Sequence, residues 1–301
     1  MEDILRLENV CKHYPKFDLD NVSLTLPSGC IMGFIGENGA GKSTTIKLIL
    51  DVVHKDSGQI FIFGKENTCL DTEMKEYIGT VMDALHLPEE MTAMNVGVVM
   101  RKVYKTWQGD RFKDYLKKFR IDTKKYIREY SRGMKMKLSM AIALSHDTKL
   151  LILDEATSGL DPVVREEILD MLLEFIQDEN HGVFISSHIL SDLEKVCDYI
   201  TFIHNGKIIL SDDKDAMMDE YAILKCTAAQ LDALDKKLGQ TVIIARQGNR
   251  FGASALVDRE KVQQYIDSES ARSTSGGQDF GDMVLDAASL EDIMVFYVKE
   301  A

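Results

Sequence analysis

Gly36-Glu37-Asn38-Gly39-Ala40-Gly41-Lys42-Ser43, followed by Thr44, fits the pattern G-x-x-x-x-G-K-[ST]. The run before it, Ile31-Met32-Gly33-Phe34-Ile35, is short, apolar and partly β-branched, and reads as a buried strand. After it, Ile46, Ile49 and Leu50 recur at helical spacing, so the loop joins a strand to a helix. Three glycines let the backbone curl until successive N–H groups and the helix N-terminus face a phosphate. Residues Gly36 to Thr44 are therefore expected to hold a nucleotide. Lys42 is placed to reach its β- and γ-phosphates, and the Ser43 hydroxyl to hold a magnesium ion.

The remainder of the chain bounds the reading. At 301 residues it is long enough for one large domain or two smaller ones. Its composition, 45% hydrophobic and 28% charged, is that of an ordinary soluble globular protein. A net charge of −13 argues against a nucleic-acid partner, which needs a basic face. Cys11, Cys30, Cys69, Cys197 and Cys226 are scattered, without metal-ligand spacing, and read as reduced thiols of a cytosolic protein. The acidic start Met1-Glu2-Asp3 lacks the features of a signal peptide. No apolar stretch approaches the roughly 20 residues that span a bilayer, so work at a membrane would go through a partner.

In chain order, Leu5 to Val10 and Val22 to Leu26 alternate apolar and polar residues, with Asp20-Asn21 as the expected turn of a small antiparallel sheet. Tyr14 lies between them, a partly exposed strand residue or a platform for a stacked ring. Strands are expected at Ile60–Ile62 and Ile78–Met82. From about Met91 to Ser145 helical patterns dominate, a helical insertion in an α/β core, and the basic stretch Arg111 to Lys118 reads as a solvated helix face. Ser131 is the expected N-cap of the helix that follows it. Leu150-Leu151-Ile152-Leu153 suits a central parallel strand and ends in Asp154-Glu155, where ligands of open α/β sheets bind. A helix over Val163 to Gln177, a strand at Val183–Ile185 leading to His188, and a hairpin turning at Asn205-Gly206 complete the core. The reading is an α/β domain over residues 1–221 and a small α+β extension over 222–301. The extension has a strand at Ile223–Cys226, a helix from Ala229 to Leu238 and a hairpin near Gly248-Asn249. It also has a mobile loop over Ser268–Gly281 and a capped last helix from Ser289.

Beside the phosphate loop, Asp154 has the placement of a magnesium-holding carboxylate, and Glu155 that of a general base for an attacking water. With Ala156-Thr157-Ser158-Gly159-Leu160-Asp161, Ser131-Arg132-Gly133-Met134 and His188, the chain resembles the ATP-binding subunit of an ABC transporter, from roughly Leu5 to Asp212. The resemblance implies a P-loop ATPase fold with an antiparallel β subdomain and a helical subdomain. It implies that two subunits, identical or not, pair head to tail around ATP and Mg2+. Ser131, Arg132 and Gly133 would then face the γ-phosphate held by the opposite subunit, and Asp161 the seam. His188 would hold Glu155 and the water in line, Tyr14 would stack on adenine, and Asp83 would add a metal contact from the loop that transmits motion. Separately encoded membrane permease subunits are the implied partners, with the chain peripheral on the inner face of the cell membrane.

Three positions depart from the family. Tyr130-Ser131-Arg132-Gly133-Met134 replaces Leu-Ser-Gly-Gly-Gln, Asp83 stands where glutamine is usual, and Ala156 where proline is common. This form of the signature, with the short C-terminal extension, resembles the ABC-2 exporters, and within them the subunits that expel antimicrobial peptides, drugs or lipid-like materials. The readings set beside an export motor are an ATP-binding regulatory clamp with little hydrolysis and a soluble ABC protein acting on ribosomes or DNA.

Overall fold

The structure is a computed structural model describing residues 3–69, 72–239, 242–249, 252–272 and 283–300. The chain divides into two compact units, Met1–Ser211 and Asp212–Ala301.

In the first unit, β1 (Asp3–Tyr14), β2 (Phe17–Pro27), β4 (Ser57–Ile62) and β5 (Lys65–Glu66) form an antiparallel sheet in the order β2-β1-β4-β5. A second sheet runs β10-β9-β3-β8-β7-β6, from β3 (Ile31–Ile35), β6 (Ile78–Val81), β7 (Leu150–Asp154), β8 (Gly182–Ser187), β9 (Tyr199–His204) and β10 (Lys207–Asp213). Its pairs β9-β3, β3-β8, β8-β7 and β7-β6 are parallel. Every residue of β3, β7 and β8 is buried, which explains why these strands read as unbroken apolar runs. Helix α1 (Lys42–Ile49) lies between the sheets. Leu5, Leu7 and Val22 of the first, Ile46 and Ile49 of α1, and Met32, Phe34 and Phe184 of the second form one apolar cluster. Each such side chain contributes about 1.5–3 kcal/mol on burial.

The short α2 (Thr72–Lys75) precedes β6, and between β6 and β7 come α3 (Ala93–Val103), α4 (Gly109–Lys118) and α5 (Arg132–Ala143). Thr92 caps α3 through its hydroxyl and the Asn95 amide, and Ser131 caps α5. Helix α6 (Pro162–Phe175) starts on Asp161 with proline in its first turn, and α7 (Leu190–Val196) follows β8. The β9–β10 turn has Asn205 at φ +45° and Gly206 at φ +78°, the geometry of a two-residue hairpin.

The turn between β1 and β2 falls at Pro15-Lys16, not at Asp20-Asn21, which lies inside β2. The register shifts where Val10 and Lys12 flank Cys11. Asn21, at φ +52°, donates its N–H to the Cys11 sulfur, while the Asp20 N–H bonds the Gly206 carbonyl at 2.9 Å. The polar pair serves a bulge and a tie to the β9–β10 turn, not a reversal.

The second unit begins ten residues earlier than the sequence boundary at 221/222. Helix α8 (Lys214–Glu220), capped by Asp213, packs on β11 (Tyr221–Cys226) and α10 (Arg259–Arg272) of this unit. Its sheet runs β12-β13-β11-β14, with β12 (Ile243–Asn249), β13 (Gly252–Asp258) and β14 (Val284–Ala287). Helix α9 (Ala228–Leu238) buries Leu231 and Leu234 in its core, and α11 (Leu290–Glu300) packs on β12 and β13. The expected loop at Ser268–Gly281 is corrected in its first part: α10 continues to Arg272, with the Ser268 hydroxyl bonded to the Tyr265 carbonyl at 2.8 Å. Residues 273–281 lie outside the described residues.

Candidate functional site

Three adjacent parallel strands, β3, β8 and β7, deliver their C-terminal ends to one place. From β3 the chain enters the Gly36–Ser43 loop, where Gly39 (φ +87°) and Gly41 (φ +119°) take left-handed backbone that other residues avoid. A Cβ on Gly41 would lie 3.0 Å from both Leu19 Cδ1 and Phe17 Cζ, and one on Gly36 would lie 2.4 Å from the Ile203 carbonyl oxygen. The loop is therefore closed around glycines. Lys42 is 6% exposed, its ammonium donating to the carbonyls of Gly36 (2.6 Å) and Glu37 (3.2 Å). Glu37, Asn38, Gly39 and the Ser43 side are exposed, Ala40 is buried, and Thr44 is half-buried. The first-turn N–H groups of α1 have no partner four residues earlier, so this loop is a cradle for an anion.

At the end of β7, Asp154 is 4% exposed and accepts a hydrogen bond from the Ser186 hydroxyl at 2.6 Å. The next residue, Glu155, sits at φ +52°, a sparsely populated conformation for a non-glycine residue and one found at functional sites. Its backbone N–H is held by the Ser186 carbonyl (3.1 Å) and hydroxyl (3.2 Å). Its two carboxylate oxygens part company: Oε1 lies 3.1 Å from Lys42 Nζ, and Oε2 lies 2.6 Å from Nδ1 of His188, just beyond β8. Lys42, Glu155 and His188 are thus joined directly, and Asp154 is tied to Glu155 through Ser186. A carboxylate that faces both the anion cradle and a histidine can take a proton from water beside a bound phosphate.

The other predicted residues stand apart from this cluster. Tyr14 ends β1 opposite Phe17 and lines a cavity of about 690 Å³ with Lys12, Lys16 and Asn205. Through Phe17, which touches Gly41, this cavity borders the phosphate loop. Ser131 is exposed at the start of α5, its hydroxyl accepting from the Met134 N–H at 3.2 Å. Gly133 abuts Val164, and the Arg132 guanidinium lies against Gly159, where a Cβ would be 3.3 Å from its Cζ. Asp161 is exposed and caps α6, accepting from the Val164 N–H at 3.1 Å. Asp83 is exposed after β6 and shares a cavity of about 370 Å³ with Arg132, Lys135 and Met136. Among the described residues, no hydrogen bond or ion pair joins Ser131, Gly133, Asp161 or Asp83 to the phosphate loop.

Two features escaped the sequence. Ser186 is fully buried between Asp154 and Glu155; its only signal is the β7–β8 register, which pairs it with Asp154. Arg165 of α6 donates to the Leu160 carbonyl at 3.4 Å and lies 3.6 Å from the buried carboxylate of Asp192 in α7, linking the segments after Glu155 and after His188. Neither residue carries a signal in the sequence, because the pairing comes from the approach of two helices.

The ABC transporter family matches residues 19–158. Over 212 residues the chain is 34% identical to the bacitracin transport ATP-binding protein BcrA of Bacillus licheniformis, covering 69% of each. Over 218 residues it is 37% identical to the lantibiotic transport ATP-binding protein SrtF of Streptococcus pyogenes, covering 70% of this chain and 92% of that one. A solved ATP-binding subunit of an ABC transporter superposes with a TM-score of 0.65 at 26% identity, over 71% of this chain and 91% of its own. A dimeric ATP-binding cassette bound to ADP and Pi shares the fold, with a TM-score of 0.62 at 21% identity over 69% of this chain and 98% of its own. The phosphate loop, the carboxylates after β7 and these likenesses agree: the chain belongs to the ATP-binding subunits of ABC transporters and is an ATPase of that family.

Proposed function

We propose that this ATPase is the motor of an exporter, in which two such subunits close around two Mg-ATP and drive separately encoded membrane subunits. The observation that carries the reading is Glu155, held in left-handed backbone between Lys42 and His188 at the mouth of the phosphate loop. The relatives named for bacitracin and lantibiotic transport support a peptide antibiotic as cargo. The chain would then sit on the inner face of the membrane through its permease. No described helix is long and apolar enough to cross a bilayer.

The residues present fit nucleotide and metal. Lys42 and the first-turn N–H groups of α1 offer positive potential to phosphate oxygens. The described residues bring together no group of three or more His, Cys, Asp or Glu for a metal, and magnesium on a nucleotide needs none. It is held by one or two protein oxygens plus the phosphates, which suits Ser43 and Asp154. When bound, the ion screens the charge on the phosphates. Tyr14 stacks on the base, and Glu155 accepts the proton of a water that His188 helps orient. Ser131, Arg132 and Gly133 of the opposite subunit present the N-terminus of α5 to the γ-phosphate. Asp161 lies at the seam between subunits, and the Asp83 loop passes the motion on.

The test is magnesium-dependent ATP hydrolysis against protein concentration, with Glu155→Gln in parallel. Rate per subunit should rise with concentration, and Glu155→Gln should lower turnover by about 10²- to 10⁴-fold while eluting as an ATP-bound dimer. A wild type that binds ATP without hydrolysing it at any concentration, beside a monomeric Glu155→Gln, would overturn the motor reading in favour of a regulatory clamp.

A further inference from the structure

Strand β1 outruns one of its two neighbours. Its pairing with β4 ends at Cys11 opposite Ser57, after a register shift between Glu8 and Cys11. Its pairing with β2 continues through Lys12 and His13 to Tyr14 opposite Phe17. Beyond Cys11 the β4 side of β1 therefore has no ladder, and backbone groups there need another partner. Asp56, the residue before β4, supplies it. Its N–H donates to the Cys11 carbonyl at 2.9 Å. Its Oδ2 accepts from the His13 N–H at 2.6 Å, and its Oδ1 from the Lys12 ammonium at 2.7 Å. One carboxylate thus takes the place of the missing strand.

The same carboxylate reaches Tyr14 through Lys12. Residues two apart on a strand share a face, so Lys12 stands beside Tyr14. Its ammonium, held by Asp56, lies over the Tyr14 ring at 5.7 Å from the centroid, within cation–π reach. The His13 imidazole is engaged elsewhere, with Asp18. The Lys12 ammonium and the His13 N–H hold the Asp56 carboxyl below the usual carboxylate range, so the tie is charged at neutral pH. Lys12, Tyr14 and Asp56 all line the cavity that borders the phosphate loop through Phe17.

We propose, on the reading of Tyr14 as the base platform, that Asp56 is a positioning residue for the nucleotide. Through His13 and Lys12 it fixes the end of β1 and the ring that Tyr14 presents. It touches neither base nor phosphate, and its effect passes through Tyr14. A ring free to swing must be ordered when the base arrives, and that ordering is subtracted from affinity. A ring already held does not bear this loss. Asp56 therefore strengthens the grip on the base and leaves the grip on the phosphates to the Gly36–Ser43 loop.

The experiment compares two ligands on the purified full chain by calorimetry: Mg-ATP, and magnesium with inorganic triphosphate, which has no base to stack. Tyr14→Ala should weaken ATP binding about ten-fold and leave inorganic triphosphate binding as in wild type. Asp56→Ala should weaken ATP binding about three- to ten-fold, again without effect on triphosphate. Asp56→Asn keeps an oxygen for the His13 N–H but no charge for Lys12, and should recover part of the loss. In a Tyr14→Ala background, Asp56→Ala should cost nothing further, because the platform it steadies is gone. If Tyr14→Ala weakens ATP while Asp56→Ala does not, the positioning role is overturned and the platform stands. Equal loss of ATP and triphosphate in Asp56→Ala, or a loss that adds in full to that of Tyr14→Ala, overturns the positioning role as well. Undiminished ATP binding by Tyr14→Ala would overturn the platform itself, and the role of Asp56 with it.

Discussion

Ser186 is the residue by which the reasoning about the site can be tested most sharply. Its hydroxyl, fully buried, donates to Asp154 Oδ1 at 2.6 Å and accepts from the Glu155 N–H at 3.2 Å. Ser186→Ala removes one oxygen and leaves the β7–β8 ladder in place, since Glu155 keeps its bond to the Ser186 carbonyl. What is lost is a hydrogen bond to a charged group, worth about 1.5–3 kcal/mol. If it orients Asp154 for the metal and pins Glu155, that loss appears in the transition state. At 1.36 kcal/mol per factor of ten, kcat/KM should fall about 10- to 150-fold. The assay is steady-state ATP hydrolysis at several magnesium concentrations, with thermal unfolding alongside. The magnesium requirement should rise, because a freed carboxylate is less well aimed. A variant that unfolds at lower temperature but keeps kcat/KM within about two-fold of wild type would refute the orienting argument and leave Ser186 a structural bond.

Two further outcomes follow from the geometry. Gly41→Ala forces a side chain into left-handed backbone against Leu19 and Phe17, a strain of about 1–3 kcal/mol; affinity for a fluorescent ATP analogue should drop about ten-fold, and unchanged affinity would refute the cradle. His146 stacks on Tyr104 at 4.0 Å and its Nδ1 meets the Glu76 carbonyl at 2.8 Å, and burial holds its pKa below the ordinary 6.5. The folded state keeps it neutral while the unfolded chain takes up a proton, so stability is complete above the unfolded value and declines as pH falls below about 6.5. Denaturant titrations should show His146→Phe flattening that decline between about pH 6.5 and 5, and an unaltered slope would refute the assignment.

What could be read from the sequence was local, or patterned by burial. The phosphate loop is a contiguous signal, and β3, β7 and β8 appear as apolar runs because both their faces are covered. The Asn205-Gly206 turn was legible because it requires two residues tolerant of positive φ. Asp20-Asn21 is also a pair of turn-favouring residues but has another use, since its bonds run to Cys11 and Gly206, partners that only the fold supplies. The start of the second unit depends on where α8 packs, and composition does not encode that. Ser186 acquires its place from strand register, and Arg165 and Asp192 from the approach of two helices. The basic stretch Arg111 to Lys118 read as a solvated face, and two of its lysines do pair with acids one turn away.

The altered signature bears on how such a site tolerates change. In Tyr130-Ser131-Arg132-Gly133-Met134 a large cation stands where the family carries glycine, at a helix start proposed to meet a phosphate. The Ser131 hydroxyl oxygen accepts from the Met134 N–H and keeps its own O–H to donate, so what α5 offers an anion is that hydroxyl, its other first-turn N–H groups and its dipole, and none of these depends on side-chain identity at position 132. The Arg132 side chain lies instead against Gly159, which lacks the Cβ that would stand 3.3 Å from the guanidinium carbon and which, at φ +67°, favours glycine on its own account. The substitution thus leaves the proposed phosphate contacts of Ser131 and Gly133 intact and adds a bridge from α5 to the loop that ends at Asp161. Arginine at 132 and glycine at 159 therefore form a matched pair. A larger residue at 159 would drive the guanidinium off this loop, whereas glycine at 132 would restore the family's signature and remove the bridge.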